Sequence, residues 1–287
     1  MRAKSQRFDP RQIMNNKSFE VFHYKDANPS DGEMHHHDFY EVCCFLGGEV
    51  EYLVDGHIYH LNPGDLLLIN PMELHRHVLR IEGITYERIV LWINVDYLKS
   101  LSTDAINLTR CFDSTLSTYT NILRPSAARR AEIISLLGEL VRESYSNDKG
   151  AKISSHGIFM HFIAELNRLS LSEKKKREEG DESDLVSRVL AYIGDNYTNE
   201  ITLEQLAQQF YVSKYHLSHA FSREVGTSVY RYIMLKRLIA ARQLISEGFT
   251  PGEACEKSGY GDYTSFYRAF KTEYGISPRA CASVENR

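Results

Sequence analysis

The feature that most constrains this chain is a repeat inside its C-terminal half. A shift of 49 residues places Ala220, Phe221, Glu224, Gly226 and Ser228 on Ala269, Phe270, Glu273, Gly275 and Ser277. Self-similarity at such a period marks one supersecondary unit written twice. In each copy a short segment holding a small residue, Ala207 or Ala254, precedes a turn, and a longer segment follows a capping residue, Ser213 or Asp262. That is the pattern of a helix-turn-helix. The small alanine lets the first helix approach the second, while Leu217 with Phe221, and Phe266 with Phe270, share a face at i, i+4 spacing and anchor the second helix. The rest of each second helix is left to read DNA: Lys214, Tyr215, Ser218, His219 and Arg223 in one copy, Tyr263, Thr264, Tyr267, Arg268 and Lys271 in the other.

Helix punctuation agrees with the repeat. Thr202 with Gln205 forms a capping-box pattern, and Thr250-Pro251-Gly252-Glu253 joins a cap, a proline at the first helical position and an acid at the third. Gly226, Gly248, Gly259 and Gly275 each follow an apolar-periodic run, where a left-handed helix end is wanted. These signals predict helices over 184–197, 203–210, 214–225, 229–247, 251–258 and 262–274. The helix joining the copies would span ~28 Å at ~1.5 Å per residue. Neighbouring major-groove segments lie ~34 Å apart, so one rigid connector can serve two recognition helices.

Length and charge bound the rest. A chain of 287 residues fits two domains. Asp184 to Arg287 carries 12 basic and 11 acidic residues, against 22 basic and 27 acidic before it. A domain of net charge +1 binds nucleic acid through placed rather than massed cations. Glu173 to Asp184 (EKKKREEGDESD) holds nothing apolar and reads as a linker. The division is therefore 1–172, a linker at 173–183, and 184–287. The cysteines at 43, 44, 111, 255 and 281 are odd in number and lack a Cys-x-x-Cys pair, which indicates reduced core thiols. No apolar run approaches ~18 residues and the start is charged, so the expectation is a cytoplasmic protein without a membrane partner.

Residues 19–95 carry short runs rich in β-branched and aromatic types, such as YEVCCFL, EVEYLV, HIYHL and ITYERIVLWINV, separated by turn signals. Asp55-Gly56 predicts a hairpin, since a type I′ turn needs positive φ at both central positions. Closely spaced short strands imply a small sandwich or barrel. Adjacent residues of a strand face opposite ways, so Cys43 and Cys44 are not expected to bridge. Beyond Pro125 the period becomes helical: Ile133, Leu136, Leu137, Leu140 and Val141, then Ile158, Phe162, Leu166 and Leu169 in 153–171. These helices either cover the strands or form the seam of a homodimer.

The run Leu238, Ala241, Arg242, Ile245, then Ser258-Gly259-Tyr260-Gly261-Asp262-Tyr263, Phe266, Arg268, Phe270, Lys271, Gly275 and Ser277-Pro278 strongly resembles the AraC/XylS-type DNA-binding domain. The resemblance covers Leu185 to Ala280, about a third of the chain. It implies a transcription regulator on double-stranded operator DNA, meeting RNA polymerase if it activates. It also implies base contacts from Tyr215, Ser218, His219, Thr264, Tyr267 and Arg268, with Ser218 and His219 standing where longer polar or arginine side chains are usual. Upstream, His35-x-His37-x3-Glu41-x6-Gly48 resembles the first cupin motif, and Gly64-Asp65 through Pro71 to His75 the second, with Glu73 where glycine is usual.

The fold class expected is thus α+β in two domains: a cupin-like β-barrel with flanking helices, then an all-α tandem helix-turn-helix. His35, His37, Glu41 and His75 can converge as ligands for a divalent metal. They can also serve a metal-free effector site, or stand on a solvent-exposed strand start. Arg88, Val90, Trp92 and Asn94 share a strand face, so Trp92 with Arg88, His37, Glu41 and His75 can line a pocket for a sugar-like effector. Trp92 is otherwise core. No required cofactor and no catalysis are expected. The rivals are an effector-independent regulator with the barrel as dimerisation scaffold, and a metal-dependent cupin enzyme fused to a DNA-binding module.

Overall fold

Strand alternation builds the N-terminal half around one sheet that is buried on both faces. The computed structural model describes residues 12–27, 29–80, 83–103, 106–116, 119–172 and 185–285. The chain divides into two units, Met1–Glu179 and Gly180–Arg287. The segment expected as linker, 173–183, lies outside the described residues.

The first unit holds strands β1 (Phe19–Asp26), β2 (Tyr40–Gly47), β3 (Val50–Val54), β4 (His57–His60), β5 (Leu66–Ile69), β6 (His75–Leu79), β7 (Tyr86–Ile93) and β8 (Ile122–Leu123). It also holds helices α1 (Val95–Leu101), α2 (Ala127–Ser144) and α3 (Ala151–Ser172). The strands form an antiparallel five-stranded sheet of order β1-β7-β2-β5-β8 and a three-stranded sheet of order β4-β3-β6. The sandwich-or-barrel expectation thus resolves into two sheets that, among the described residues, do not close into a ring. The β3–β4 turn has Asp55 at φ 45° and Gly56 at φ 97°, the positive pair that the Asp-Gly signal requires.

Apolar side chains pack against both faces of the larger sheet. Tyr40, Val42 and Cys44 join Leu66, Leu68, Leu91 and Ile93 in a core completed by Leu137, Leu140, Phe159, Phe162 and Leu166 of α2 and α3. Phe19 stacks on Phe159 with ring centroids 4.4 Å apart. Cys43 and Phe45 face the other way, into a second core with Tyr52, Val54 and Tyr59 of the smaller sheet. Cys43 and Cys44 are both buried free thiols on opposite faces, as alternation demands.

One expectation is corrected here. Ile133, Leu137 and Leu140 are fully buried by the chain's own sheet, with Leu136 half-buried, so this stripe leaves no free apolar seam for a second copy.

The second unit is all helical: α4 (Leu185–Asn196), α5 (Leu203–Gln209), α6 (Lys214–Val225), α7 (Val229–Ser246), α8 (Pro251–Lys257), α9 (Tyr263–Tyr274) and α10 (Pro278–Glu285). The repeat is geometrical as well as textual. The short helices α5 and α8 both begin with a complete capping box, Thr202 with Gln205 and Thr250 with Glu253. Helices α6 and α9 are both capped, by Ser213 and Asp262, and both end on a left-handed glycine at φ 73°, Gly226 and Gly275. Leu217, Phe221, Phe266 and Phe270 are fully buried anchors. Helix α10 was not among the expected helices. Its signal was Ser277, whose hydroxyl accepts from the Ala280 amide, ahead of Pro278 at the first helical position; it packs on α7 through the buried Cys281.

Two outcomes test this packing. A Leu137→Glu, Leu140→Glu variant should lose the cooperative melting of the N-terminal unit, since each leucine withdraws ~1.5–3 kcal/mol of burial and the new carboxylates have no partner; a folded monomer would return the stripe to a dimer seam. Gly259 sits at φ +88°, and a Cβ there would lie 2.5 Å from the Thr198 carbonyl oxygen. Gly259→Ala should therefore cost more than the ~1–2 kcal/mol of left-handed strain alone, read as a lowered denaturation midpoint of the C-terminal unit.

Candidate functional site

The ten side chains expected to read DNA all lie on α6 and α9, and nine of them are exposed; Ser218 is half-buried. The two helices differ in electrostatics. On α6, Lys214 is 3.3 Å from Glu204 and lies over the Tyr215 ring at 5.7 Å, while Arg223 is 2.9 Å from Glu224. On α9, Arg268 and Lys271 are exposed and have no ion-pair partner among the described residues. The second copy therefore presents the less neutralised cations, and counterion release favours phosphate contact there. Tyr263 and Tyr267 stand beside them with ring centroids 6.5 Å apart. Tyr211, in the turn between α5 and α6, was not singled out in the sequence. It is 94% exposed at φ 56°, and the missing signal is conformational: a non-glycine residue in the left-handed region lifts its ring out of the turn.

In the first unit, Arg88, Val90 and Trp92 of β7 line a cavity of about 1230 Å³. The register sets Phe22 and Tyr24 of β1 opposite Val90 and Arg88, and Glu41 of β2 opposite Trp92. Trp92 donates its indole N–H to Glu41 Oε2 at 2.8 Å and makes an edge contact with Phe22, centroids 4.8 Å apart. Half-buried, it is at once packed and part of the cavity wall. The Arg88 guanidinium pairs with Asp26 at 2.9 Å and lies 4.1 Å from the Tyr86 ring centroid and 4.8 Å from that of Tyr24. Tyr52, His77, Lys152 and His156 also face the cavity. Sequence reasoning missed Tyr24, Asp26, Tyr52 and His77, because only cross-strand register brings them beside Arg88.

The histidines are not on an exposed strand start: His35, His37 and His75 are all buried. The segment before β2 runs against β6, with His35 and His75 exchanging backbone hydrogen bonds of 3.1 and 2.9 Å, Gly32 N donating to His77 O, and Met72 N to His37 O. Of the four residues expected around a metal, His37, Glu41 and His75 bring one ligand atom each within 4.8 Å of one another. His35 lies beside them, its ring centroid 4.0 Å from that of His75, but outside that set. His35, Glu41 and His75 line the cavity, and His37 stands behind Glu41, its Nε2 3.5 Å from Glu41 Oε2. Burial, with the neighbouring His37, lowers His35 to about 3, and burial together with His35 holds His75 well below the ordinary histidine range. Burial raises Glu41, but His37, His35 and the Trp92 hydrogen bond together bring it below the usual carboxylate range.

Comparison with known proteins follows the same division. Residues 16–163 match a family model described as an AraC-like ligand binding domain, and residues 206–283 match one described as a helix-turn-helix domain. The HTH-type transcriptional regulator YbfI of Bacillus subtilis is 26% identical over 228 residues, 79% of this chain and 78% of that protein. The HTH-type transcriptional activator RhaS of Salmonella paratyphi B is 25% identical over 246 residues, 85% of each chain. ToxT from Vibrio cholerae, in a crystal structure with a bound unsaturated fatty acid, aligns over 94% of this chain and 97% of its own at 15% identity and a TM-score of 0.41. The homologous proteins are transcriptional regulators, not enzymes.

Proposed function

This chain belongs to the AraC family of DNA-binding transcriptional regulators, with a ligand-binding domain ahead of a helix-turn-helix domain, and from that premise we propose that it reads its operator through α6 and α9 and answers to a small polar effector. The observation that carries the DNA reading is the duplicated exposed face, held each time by a side-chain N-cap, a left-handed glycine at the C-terminal end and two buried anchors at i, i+4 spacing. Arg268 is the principal base reader of α9, because its guanidinium is exposed and can present two parallel donors to a guanine edge. Lys271, near the C-terminal end of the same helix, is the phosphate contact. On α6, Tyr215 and His219 carry the reading, with Lys214 and Arg223 on the backbone. The active species is a cytoplasmic homodimer whose seam lies away from the buried stripe of α2, and where it activates it does so by contacting RNA polymerase.

The effector reading is supported by the mixed wall of the cavity. Trp92 offers an aromatic plate for the apolar face of a sugar or sugar derivative, and Arg88, Glu41, His75 and His77 offer partners for hydroxyls or an acid group. An effector changes transcription only to the extent that it binds one arrangement of the protein more tightly than another.

Two measurements bear on this reading. Arg268→Ala should weaken operator binding by ~1–3 kcal/mol and relax preference at one base pair, as read by fluorescence anisotropy over a set of operator variants; uniform weakening across all of them would make Arg268 a phosphate contact. Trp92→Ala should abolish the effector-dependent change in a reporter assay while operator affinity without effector stays at the wild-type value. An unchanged half-saturation would place the effector away from this wall.

A further inference from the structure

The left-handed position that ends the short helix is filled differently in the two helix-turn-helix copies. After α5 it holds Tyr211 at φ 56°, 94% exposed, and after α8 it holds Gly259 at φ 88°. The turn by itself therefore accepts a side chain. What demands glycine in the second copy is a neighbour: a Cβ on Gly259 would lie 2.5 Å from the Thr198 carbonyl oxygen and 2.7 Å from the Thr198 Cα. Thr198 belongs to the segment between α4 and α5, so backbone of the first helix-turn-helix module lies directly against the turn of the second.

Helix α7 grips the same segment. Arg237 donates from Nε to the Tyr197 carbonyl oxygen and from Nη2 to that of Asn199, both at 2.7 Å. Carbonyls at and just past a helix C-terminus lack intrahelical donors and carry the negative end of the helix dipole, so a guanidinium suits them. Its planar fork fixes direction as well as distance, which an ammonium on a flexible stem does not. A further tie runs from Arg231, in the first turn of α7, to Glu273 near the end of α9, 2.5 Å apart. The brace leads into both recognition helices. On one side Thr202 caps α5, and Glu204 in the first turn of α5 stands 3.3 Å from Lys214 at the start of α6. On the other, Tyr260 follows Gly259, ties its amide to the Cys255 carbonyl and makes an edge contact with Phe266, ring centroids 5.2 Å apart. Phe266 is one of the two buried anchors of α9.

We infer that Arg237, together with the contact between Thr198 and Gly259, is a positioning element for operator reading: it fixes the offset between α6 and α9, so the protein selects the spacing of the two groove segments as well as their bases. This role presupposes that α6 and α9 read DNA, as proposed above. Helix α7 has 18 residues and spans ~27 Å, short of the ~34 Å between neighbouring major-groove segments. Connector length alone does not match the groove repeat, so the tilt of each module on α7 decides which base pairs its recognition helix meets. One base pair moves the target by about 3.4 Å along the DNA axis and about 34° around it. A module that rocks on α7 follows such a change. One held by a forked pair of hydrogen bonds and a backbone contact does not. Arg237 itself touches no DNA in this role, since its Nε and Nη2 donors are directed at carbonyls inside the protein.

The test uses the full chain and a duplex recovered with it by in vitro selection, with derivatives in which one base pair is inserted or removed between the two groove segments that one protomer protects. Fluorescence anisotropy gives the ratio of affinities for parent and shifted duplexes. Wild type should lose about 10-fold or more on either shift, the worth of one misplaced base contact. Arg237→Met keeps the apolar stem and removes both donors; it should bring the ratio close to unity and weaken parent binding, because the modules must then be ordered on association. Arg237→Lys, which presents one donor in place of the fork, should fall between. A merely structural role lowers the active fraction equally for every duplex, so a ratio in Arg237→Met that stays at the wild-type value overturns the positioning role. So does a wild type that binds parent and shifted duplexes alike, a result that needs no variant to fold. The slope of log affinity against log salt should be the same in wild type and Arg237→Met; a slope shallower by about 0.9 makes Arg237 a phosphate contact and likewise overturns it. Binding of the parent duplex reports on operator reading through α6 and α9, and the ratio reports on the brace, so the two fail separately.

Discussion

The N-terminal unit depends on a single sheet that must satisfy two interiors at once. Along β2 and β7 every second side chain belongs to the helix-covered core and every other to the cavity side. Val42, Cys44, Leu91 and Ile93 are held by α2 and α3, and this fixes where Glu41, Cys43, Arg88 and Trp92 point. A register slip of one residue would exchange the two sets. It would set Glu41 and Arg88 against leucine and phenylalanine, a cost no small domain of ordinary stability can absorb. The chemistry of the cavity is therefore secured by the packing on the opposite face.

Within that frame the polar groups are placed by neighbours rather than by their own segments. Arg88 stays charged in a mostly buried position because Asp26 and the faces of Tyr24 and Tyr86 surround it. Burial pushes the Tyr24 and Tyr86 phenols well up, so they remain neutral beside it. The histidines are gathered by a backbone ladder between the segment before β2 and β6, not by a helix or a hairpin. In the second unit the governing constraint is duplication. Two α helices with matching caps and matching anchors leave matching exposed faces, and α7, 18 residues long, spans ~27 Å between them. Ion pairing then distinguishes the copies, because Glu204 and Glu224 partly offset the cations of α6.

Much of the helical unit was legible in the sequence because its signals are local. Thr202, Thr250, Ser213 and Asp262 act on amides two or three residues away, and Gly226 and Gly275 terminate the helix they follow. The expected helices agree with those observed to within a residue or two, α10 excepted, where a cap and proline were present but lay past the repeat. The Asp55-Gly56 hairpin was equally local. The apolar stripe of α2 could be read as a stripe, but a stripe does not say what covers it.

The sequence by itself determined the helix-turn-helix pair, the alternation that puts Arg88 and Trp92 on one strand face, and the separation of Cys43 from Cys44. Each follows from backbone period and capping chemistry over a few residues. Tertiary structure alone decided that α2 closes on its own sheet, that Tyr24 and Asp26 stand beside Arg88, and that His37, Glu41 and His75 converge while His35 falls just outside the set. Those outcomes depend on strand register and on backbone hydrogen bonds between segments far apart in sequence, such as His35 with His75. Such pairings are fixed by the sum of burial across the whole unit, which no local pattern contains.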